Sequence, residues 1–218
     1  MAAEVTLETH GLECIRDDRT LFSGLNVSLT AGQVLQLEGR NGSGKTSLLR
    51  ILSGIRLADA GSVTWCGTEI GKLGAEYHEQ IAYVGHKDGI KQDLTALENL
   101  KMARALGRPA EGIGLEETLD RVALYGFEDV PTRNLSAGQQ RRLALARLLI
   151  TDARLWILDE PFTSLDRHGI EVVESLLEAH TARGGMAAMT THHRVNLPPE
   201  RVQRLNLSER GKQEPSEA

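Results

Sequence analysis

Short apolar segments alternate with glycine-containing turns along this chain, and their spacing predicts an α/β protein. Alternating apolar and polar residues predict half-buried strands, whereas segments that are apolar on both faces predict central strands of a parallel sheet. The predicted strands cover 4–9, 25–29, 34–38, part of 60–67, 81–86, 154–160 and 186–191. The predicted helices cover 47–52, 95–107, 115–123, 136–149 and 167–182, before a small closing segment at 194–207 and a polar tail at 208–218.

A glycine-rich segment between the strand at 34–38 and the helix at 47–52 has the form G-x-x-x-x-G-K-[ST]. Its glycines let the backbone curl, so that inward N–H groups and the helix N-terminus can cradle phosphate oxygens. The lysine of this pattern lies near the β- and γ-phosphates, and the hydroxyl after it ligates Mg²⁺. The flanking strand and helix disfavour an accidental glycine-rich turn. The predicted phosphate-binding loop consists of Gly39, Arg40, Asn41, Gly42, Ser43, Gly44, Lys45 and Thr46.

The pattern changes at 87–134, where two helical stripes replace the strand patterns. Thr95 and Glu98 have the spacing of a capping box, which predicts a helix start. Gly107 and Pro109 predict where that helix ends. A small helical insertion in the α/β core is therefore expected.

The sequence LSAGQ precedes the helix predicted at 136–149. Ser136 is a favourable N-cap, and its hydroxyl, the Gly138 N–H and the helix dipole can together form a second anion site. Taken alone, an ordinary capped helix is the commoner interpretation. A phosphate-binding loop in the same chain favours the anion site.

Two carboxylates, Asp159 and Glu160, end the apolar strand predicted at 154–160. Ligands of open α/β sheets bind at the C-terminal ends of the strands. Asp159 is therefore expected to hold Mg²⁺, and Glu160 to orient or deprotonate an attacking water. The alternative is an acidic pair that caps the next helix, whose own N-cap is predicted at Asp166.

Two histidines, His192 and His193, follow the last predicted core strand. A histidine at a strand end can sense a γ-phosphate by hydrogen bonding. Paired histidines are also common in solvated turns. The residues themselves leave both interpretations open.

Length, charge and cysteine content exclude several classes of protein. A chain of 218 residues suggests one domain, and a net charge of −5 without a basic stripe argues against a nucleic-acid partner. Cys14 and Cys66 have no metal-binding spacing, and no disulfide is expected in a cytosolic protein. The start of the chain lacks the features of a signal peptide, and no segment approaches the roughly 20 apolar residues of a transmembrane helix. We therefore expect a soluble or peripherally held protein.

The order of these motifs, with Ser-Leu-Asp at 164–166 and Thr-Thr-His at 190–192, resembles the ATP-binding cassette (ABC) family over residues 3–207. The resemblance implies an α/β P-loop NTPase fold in a single ABC ATP-binding domain. That domain would have a mixed β-sheet core and an α-helical subdomain at about 87–140.

The resemblance also implies a role for each matching residue in the hydrolysis of ATP. Thr46 and Asp159 would hold Mg²⁺, Glu160 would be the general base, and His192 would be the switch histidine at the γ-phosphate. In this family two cassettes face head to tail, so that one chain completes the ATP site of the other. One cassette per chain therefore implies a homodimer.

Five positions concern this composite site or depart from the usual family pattern. Ser136 and Gly138 would act in trans, on ATP bound to the other chain, and Ala137 replaces a commoner glycine. The aromatic residue that usually stacks on adenine would fall near Arg16, and a guanidinium can also stack on a π face. His86 stands where the family usually has a glutamine that ligates Mg²⁺ and water.

Further matches at 16–22, 84–91, 94–100 and 155–163 resemble the ATP-binding subunits of bacterial cytochrome c biogenesis. Histidine at the position of His86 is usual in that subfamily. The resemblance implies a peripheral ATPase on the cytoplasmic face of the inner membrane, partnered by integral-membrane permease subunits. It would act indirectly on a periplasmic haem chaperone. An ABC ATPase for another small-molecule cargo, and a soluble cassette acting on nucleic acid or ribosomes, are the alternatives.

Overall fold

The computed structural model describes residues 5–208, in which helices pack on two β-sheets. The strands are β1 (Thr6–Arg16), β2 (Arg19–Thr30), β3 (Val34–Glu38), β4 (Ala60–Trp65), β5 (Thr68–Glu69), β6 (Ile81–Val84), β7 (Leu155–Asp159), β8 (Met186–Thr190) and β9 (Val202–Asn206). The helices are α1 (Lys45–Leu52), α2 (Ile70–Leu73), α3 (Ala75–His78), α4 (Ala96–Leu106), α5 (Leu115–Arg121), α6 (Ala137–Ala146) and α7 (Arg167–Ala182), with 3₁₀ turns at Thr132–Asn134 and Pro199–Arg201.

The two sheets differ in the direction of their strands. One is antiparallel with the order β2-β1-β4-β5, and the other is parallel with the order β6-β7-β8-β3-β9. The mixed core implied by the sequence therefore consists of one sheet of each type. The closing segment at 194–207 contributes the edge strand β9, which the apolar pattern did not predict.

Each face of the parallel sheet packs against a different layer of the protein. Leu155 and Ile157 of β7 belong to a core cluster shared with α1 and the antiparallel sheet. Trp156 and Leu158 point to the opposite face and pack in a cluster that includes α6 and α7. Because successive strand residues face opposite sides, a strand covered on both faces must be apolar on both, as β7 is up to its last residue, Asp159.

A third cluster joins the helices α4, α5 and α6, and Leu100, Leu119 and Leu143 are among its fully buried members. The predicted capping box begins α4, since the Thr95 hydroxyl accepts from the Glu98 N–H and the Glu98 carboxylate accepts from the Thr95 N–H. These helices lie within 87–146. The boundaries 3–207 and 87–140 stay predictions.

Some elements differ in length from the sequence expectation. Helix α5 ends before 123 because Ala123 has a left-handed backbone, with φ 55°. Strands β1 and β2 are longer than the predicted 4–9 and 25–29, because register shifts near Gly11 interrupt the alternation of apolar and polar residues. Residue 4 and the tail at 209–218 lie outside the described residues.

Two further observations bear on the expectations drawn from composition. Within residues 5–208, no helix combines the length and the apolar character needed to cross a membrane. Cys14 is buried, which raises the pKa of its thiol, whereas Cys66 is exposed, and both are free thiols.

Candidate nucleotide-binding site

The predicted phosphate-binding loop connects the end of β3 to the start of α1. Its three glycines have positive φ angles: 137° at Gly39, 80° at Gly42 and 97° at Gly44. A Cβ at Gly44 would also lie 3.2 Å from the Phe22 ring and 3.1 Å from the side chain of Leu21. Glycine therefore allows the loop both its curl and its close approach to β2.

Two side chains of this loop are suited to phosphate. The Lys45 ammonium donates to the carbonyl of Gly39 over 2.6 Å and to that of Arg40 over 3.3 Å, so that it folds over the loop. The Ser43 hydroxyl is buried and has no hydrogen-bond partner among the described residues. A buried, unpartnered hydroxyl beside a backbone cradle fits a phosphate oxygen.

Oxygen atoms from the loop and from two strands meet at Asp159. The Thr46 hydroxyl lies 3.3 Å from Asp159 Oδ1, and the Thr190 hydroxyl donates to the same oxygen over 2.7 Å. Asp159 is only 3% exposed. Carboxylate and hydroxyl oxygens are the ligand type that Mg²⁺ prefers, so Thr46 and Asp159 fit the predicted metal site.

Glu160 follows with an unusual backbone conformation. Its φ is 52°, in the left-handed region, and its N–H donates to the Thr190 hydroxyl over 2.9 Å. His192 Nε2 lies 3.7 Å from Glu160 Oε1, and its side chain is largely exposed. The left-handed region is unfavourable for residues other than glycine. Residues held there cluster at active sites and ligand-binding sites.

A cavity of about 710 Å³ collects most of the predicted site residues. Asp159 and Glu160 line it together with the phosphate-binding loop from Asn41 onwards. Arg16 and His86 line it as well, so two of the positions that depart from the usual family pattern lie at the same cavity. The Arg16 side chain is exposed and lies 3.6 Å from the carboxylate of Asp17.

Ser136 and Gly138 do not line this cavity. Ser136 caps α6 in a second capping box, in which its hydroxyl accepts from the Gln139 N–H over 3.3 Å. Gly138 lies so close to the loop before α7 that a Cβ there would be 2.8 Å from the Ser164 carbonyl oxygen. Gly138 therefore has a packing role within its own chain, and the action of both residues in trans stays a prediction.

Sequence reasoning missed two residues that hold this site together. Thr190 bonds both strand-end carboxylate residues, Asp159 through its side chain and Glu160 through its backbone. Arg141 is 4% exposed and donates to the backbone carbonyls of Asp159 and Glu160. A sequence signal for Arg141 exists, because it stands one helical turn before the buried Leu145 and so lies on the inward face of α6.

Comparison with known proteins places the chain in a family. The ABC transporter family model matches residues 22–163, from β2 through the phosphate-binding loop to the loop after Glu160. The chain belongs to the ABC transporter family. Its ABC ATPase fold, with a P-loop core and a set of additional helices, is the one that the sequence implied.

Relatives of this ABC protein match over nearly its whole length. It is 52% identical over 207 residues to the cytochrome c biogenesis ATP-binding export protein CcmA of Methylococcus capsulatus, covering 94% of this chain and 100% of the relative. The protein of the same name from Escherichia coli strain UTI89 is 46% identical over 205 residues, with 94% and 98% covered.

Solved structures agree with the ABC fold. An ABC transporter ATP-binding protein from Pyrococcus furiosus superposes with a TM-score of 0.80 at 22% identity, covering 94% of this chain and 98% of the other. An ATP-binding subunit of an ABC transporter gives a TM-score of 0.78 at 21% identity, covering 93% and 86%. At this level of identity the likeness concerns the fold.

Proposed function

We propose that this chain is the ATP-hydrolysing subunit of an ABC-type membrane complex in cytochrome c biogenesis. The observation that carries the proposal is the identity of 46–52%, over 94% of the chain, to proteins named for that process. The function would be haem export, or ATP-driven release of a haem-loaded periplasmic chaperone.

The geometry of the cavity supports ATP hydrolysis by residues of this chain. The phosphate-binding loop and Lys45 would bind the β- and γ-phosphates. Thr46 and Asp159 would hold Mg²⁺, which neutralises phosphate charge when bound, and His86 lines the cavity as a further candidate ligand.

Glu160, which is partly buried and lines the cavity, and the exposed His192 beside it would act on the reacting atoms. Glu160 would orient the attacking water and accept its proton, and its carboxylate is close enough to His192 for the two to share one water. The His192 imidazole would donate a hydrogen bond to the γ-phosphate. Arg16 would contact the adenine, since its guanidinium lies at the side of the cavity formed by the β1–β2 turn.

A homodimer would complete the site. Ser136 is exposed at the N-terminus of α6, and neither it nor Gly138 lines its own chain's cavity. A helix N-terminus with an exposed capping hydroxyl, whose O–H can still donate, is suited to a γ-phosphate bound by another chain. We therefore propose that these two residues act in trans.

Integral-membrane permease subunits are the proposed partners, at the cytoplasmic face of a bacterial inner membrane. An apolar groove of about 370 Å³ lies between the edge strand β6 and α4, lined by Tyr83, Met102 and Leu106 among others. Leu106 is 81% exposed. The groove adjoins the loop at 85–91, so a segment of the permease seated there would be linked to the ATP site. The haem chaperone would be an indirect partner, and we expect no nucleic-acid partner.

Co-purification tests this function directly. The tagged chain would be expressed at low level in its native host, the membrane solubilised, and the bound proteins identified together with a visible absorption spectrum. Multi-span partners with a haem Soret band support the proposal. Membrane partners without haem would point instead to another cargo, and the absence of any membrane partner would contradict the transporter role.

A matched pair of variants makes this experiment sharper. Leu106→Asp places a charge in the groove, and Leu57→Asp places one at a leucine that is 84% exposed in the loop after α1. We expect only Leu106→Asp to lose the permease partners. In the same preparations, Glu160→Gln is expected to retain ATP binding and to abolish steady-state hydrolysis, and unchanged hydrolysis would remove Glu160 from the role of base.

A further inference from the structure

One guanidinium, that of Arg141, joins three parts of the molecule that are distant in sequence. From α6 it donates to the carbonyls of Asp159 and Glu160 over 2.8 and 2.9 Å and to that of Pro161 over 3.4 Å. It also donates to the Gly85 carbonyl over 3.0 Å and forms an ion pair of 2.8 Å with Asp88. All of its nitrogen atoms are therefore engaged, and they bridge α6, the end of β7 and the loop after β6.

This arrangement uses properties that only arginine has. The Arg141 side chain is 5% exposed, and Asp88 is its salt-bridge partner. A planar fork with five donors can satisfy several carbonyls at once, whereas a lysine ammonium has three donors on a single point. A buried charge with its hydrogen bonds complete holds its neighbours in a single geometry.

The loop at 85–91, which carries His86, is attached to the helical part of the molecule at further points. Arg147 donates to the carbonyls of Asp88 and Gly89, and burial lowers the pKa of its guanidinium. The Asn99 amide bonds both the N–H and the carbonyl of Lys91. Arg141 is the member of this set that also reaches the strand end with the catalytic carboxylate.

At that strand end the backbone of Glu160 is held from both sides. Its N–H donates to Thr190, and its carbonyl accepts from Arg141. Its left-handed φ of 52° is unfavourable for a residue other than glycine, so it persists only where the surroundings impose it. The Arg141 bond is one of those restraints, and it acts on the peptide that aims the Glu160 carboxylate.

We propose that Arg141 is a positioning residue for ATP hydrolysis. It couples the position of the loop at 85–88 to the direction of the Glu160 carboxylate. A displacement of that loop, for example by a membrane partner, would be transmitted through Asp88 and Arg141 to the catalytic carboxylate. This inference rests on the proposed ATPase function, and Arg141 itself touches no reacting atom.

The neighbouring arginine provides a matched control. Arg142 stands on the same helix and donates to the carbonyls of Val122 and Ala123, both within the helical part of the molecule. Arg141→Gln and Arg142→Gln remove the same charge from adjacent positions. Only the first breaks contacts with the loop at 85–88 and with Glu160.

The experiment measures steady-state kcat and KM for ATP with the full chain in its membrane complex. We expect Arg141→Gln to lower kcat by about 10- to 100-fold, the loss that misplacement of a catalytic group by about 1 Å produces. KM and the affinity for a fluorescent ATP analogue should stay within about twofold, since Arg141 does not contact the phosphate-binding loop. Arg142→Gln should keep both parameters near the wild-type values.

Hydrogen exchange gives a readout that does not depend on activity. In Arg141→Gln, exchange should rise together in peptides covering 84–91 and 157–163, whereas Arg142→Gln should affect only peptides near 119–124.

If Arg141→Gln does not fold, Asp88→Asn tests the same link from the partly exposed loop and should lower kcat by about threefold or more without changing KM. Equal kcat values, or exchange that rises in only one of the two segments, would overturn the proposal. A wild-type complex without ATPase activity would contradict the proposed function instead, and the exchange data would still decide the coupling.

Discussion

The hydroxyl of Thr190 donates a 2.7 Å hydrogen bond to Oδ1 of Asp159, so that the last residue of β8 holds the last residue of β7. Both side chains are almost fully buried. The two strands are adjacent and parallel, and these residues are paired in register. The bond therefore fixes which way the Asp159 carboxylate faces at the edge of the nucleotide cavity.

Replacement of Thr190 should weaken catalysis more than folding. Thr190→Val preserves the shape of the side chain but removes the hydroxyl that bonds Asp159 and Glu160. We expect kcat for ATP to fall by about 10-fold or more, because the two groups proposed to act in hydrolysis lose one restraint each. Thr190→Ser restores the hydroxyl and should recover most of the activity. Equal ATPase rates for the valine and serine variants would show that this bond has no catalytic importance.

Lys45 should be needed for nucleotide affinity. Its ammonium lies over the phosphate-binding loop, bonded to Gly39 and Arg40. Lys45→Ala removes the positive charge from the proposed β- and γ-phosphate site, so the Kd for Mg·ATP in a calorimetric titration should rise by about 10-fold or more, as expected for loss of a charge-assisted bond. Lys101→Ala, on the exposed side of α4, is the control. Equal affinity in Lys45→Ala would argue against the phosphate cradle.

Gly138 should tolerate no side chain, for a reason that lies within one chain. The Cβ of Gly138→Ala would lie 2.8 Å from the Ser164 carbonyl oxygen, closer than real contacts allow. We expect this variant to lose about 1–3 kcal/mol in the free energy of unfolding, as measured in urea. The matched control is Gly71→Ala, where a Cβ would meet no atom within 4 Å. A Gly138→Ala protein as stable as the control would contradict the packing role within one chain. The proposed role in the other chain's ATP site would then be the one that remains.

His180 should make stability depend on pH. It is stacked on Trp156 with ring centroids 3.8 Å apart, and burial lowers the pKa of its imidazole to about 4. An unfolded histidine titrates near pH 6.5, so between these values the unfolded chain binds a proton that the folded chain does not. The free energy of unfolding should therefore fall as the pH drops from about 6.5 to about 4.

Variants separate this contribution from the titration of carboxylates. Between pH 7 and pH 5 the His180 contribution should decrease by about 2 kcal/mol. His180→Gln should be less stable than the wild type at pH 7, and the difference should shrink by that amount at pH 5. His168→Gln, at an exposed position on the same helix, should follow the wild-type curve. A constant difference between His180→Gln and wild type across this range would mean that His180 does not titrate as proposed.

Local features of the fold could be predicted from the sequence because their causes lie within a few residues. The glycines of the phosphate-binding loop, the Thr95–Glu98 capping box and the alternation in the parallel strands all follow from backbone geometry at short range. The order of motifs then indicated the family, which comparison with known proteins confirmed. The residue roles carried over from that family stay predictions.

The arrangement of the site depended on the tertiary structure. Asp159 and Thr190 are 31 residues apart, and Arg141 and Asp88 are 53 apart. No periodic pattern specifies such pairs, because they follow from the order in which β6, β7 and β8 lie side by side and from how α6 packs on them. Strand β9 likewise escaped prediction, since its place at the sheet edge is set by hydrogen bonds to β3 and not by its own weak pattern. The sequence by itself determined the local chemistry, and the packing of distant segments decided which groups meet.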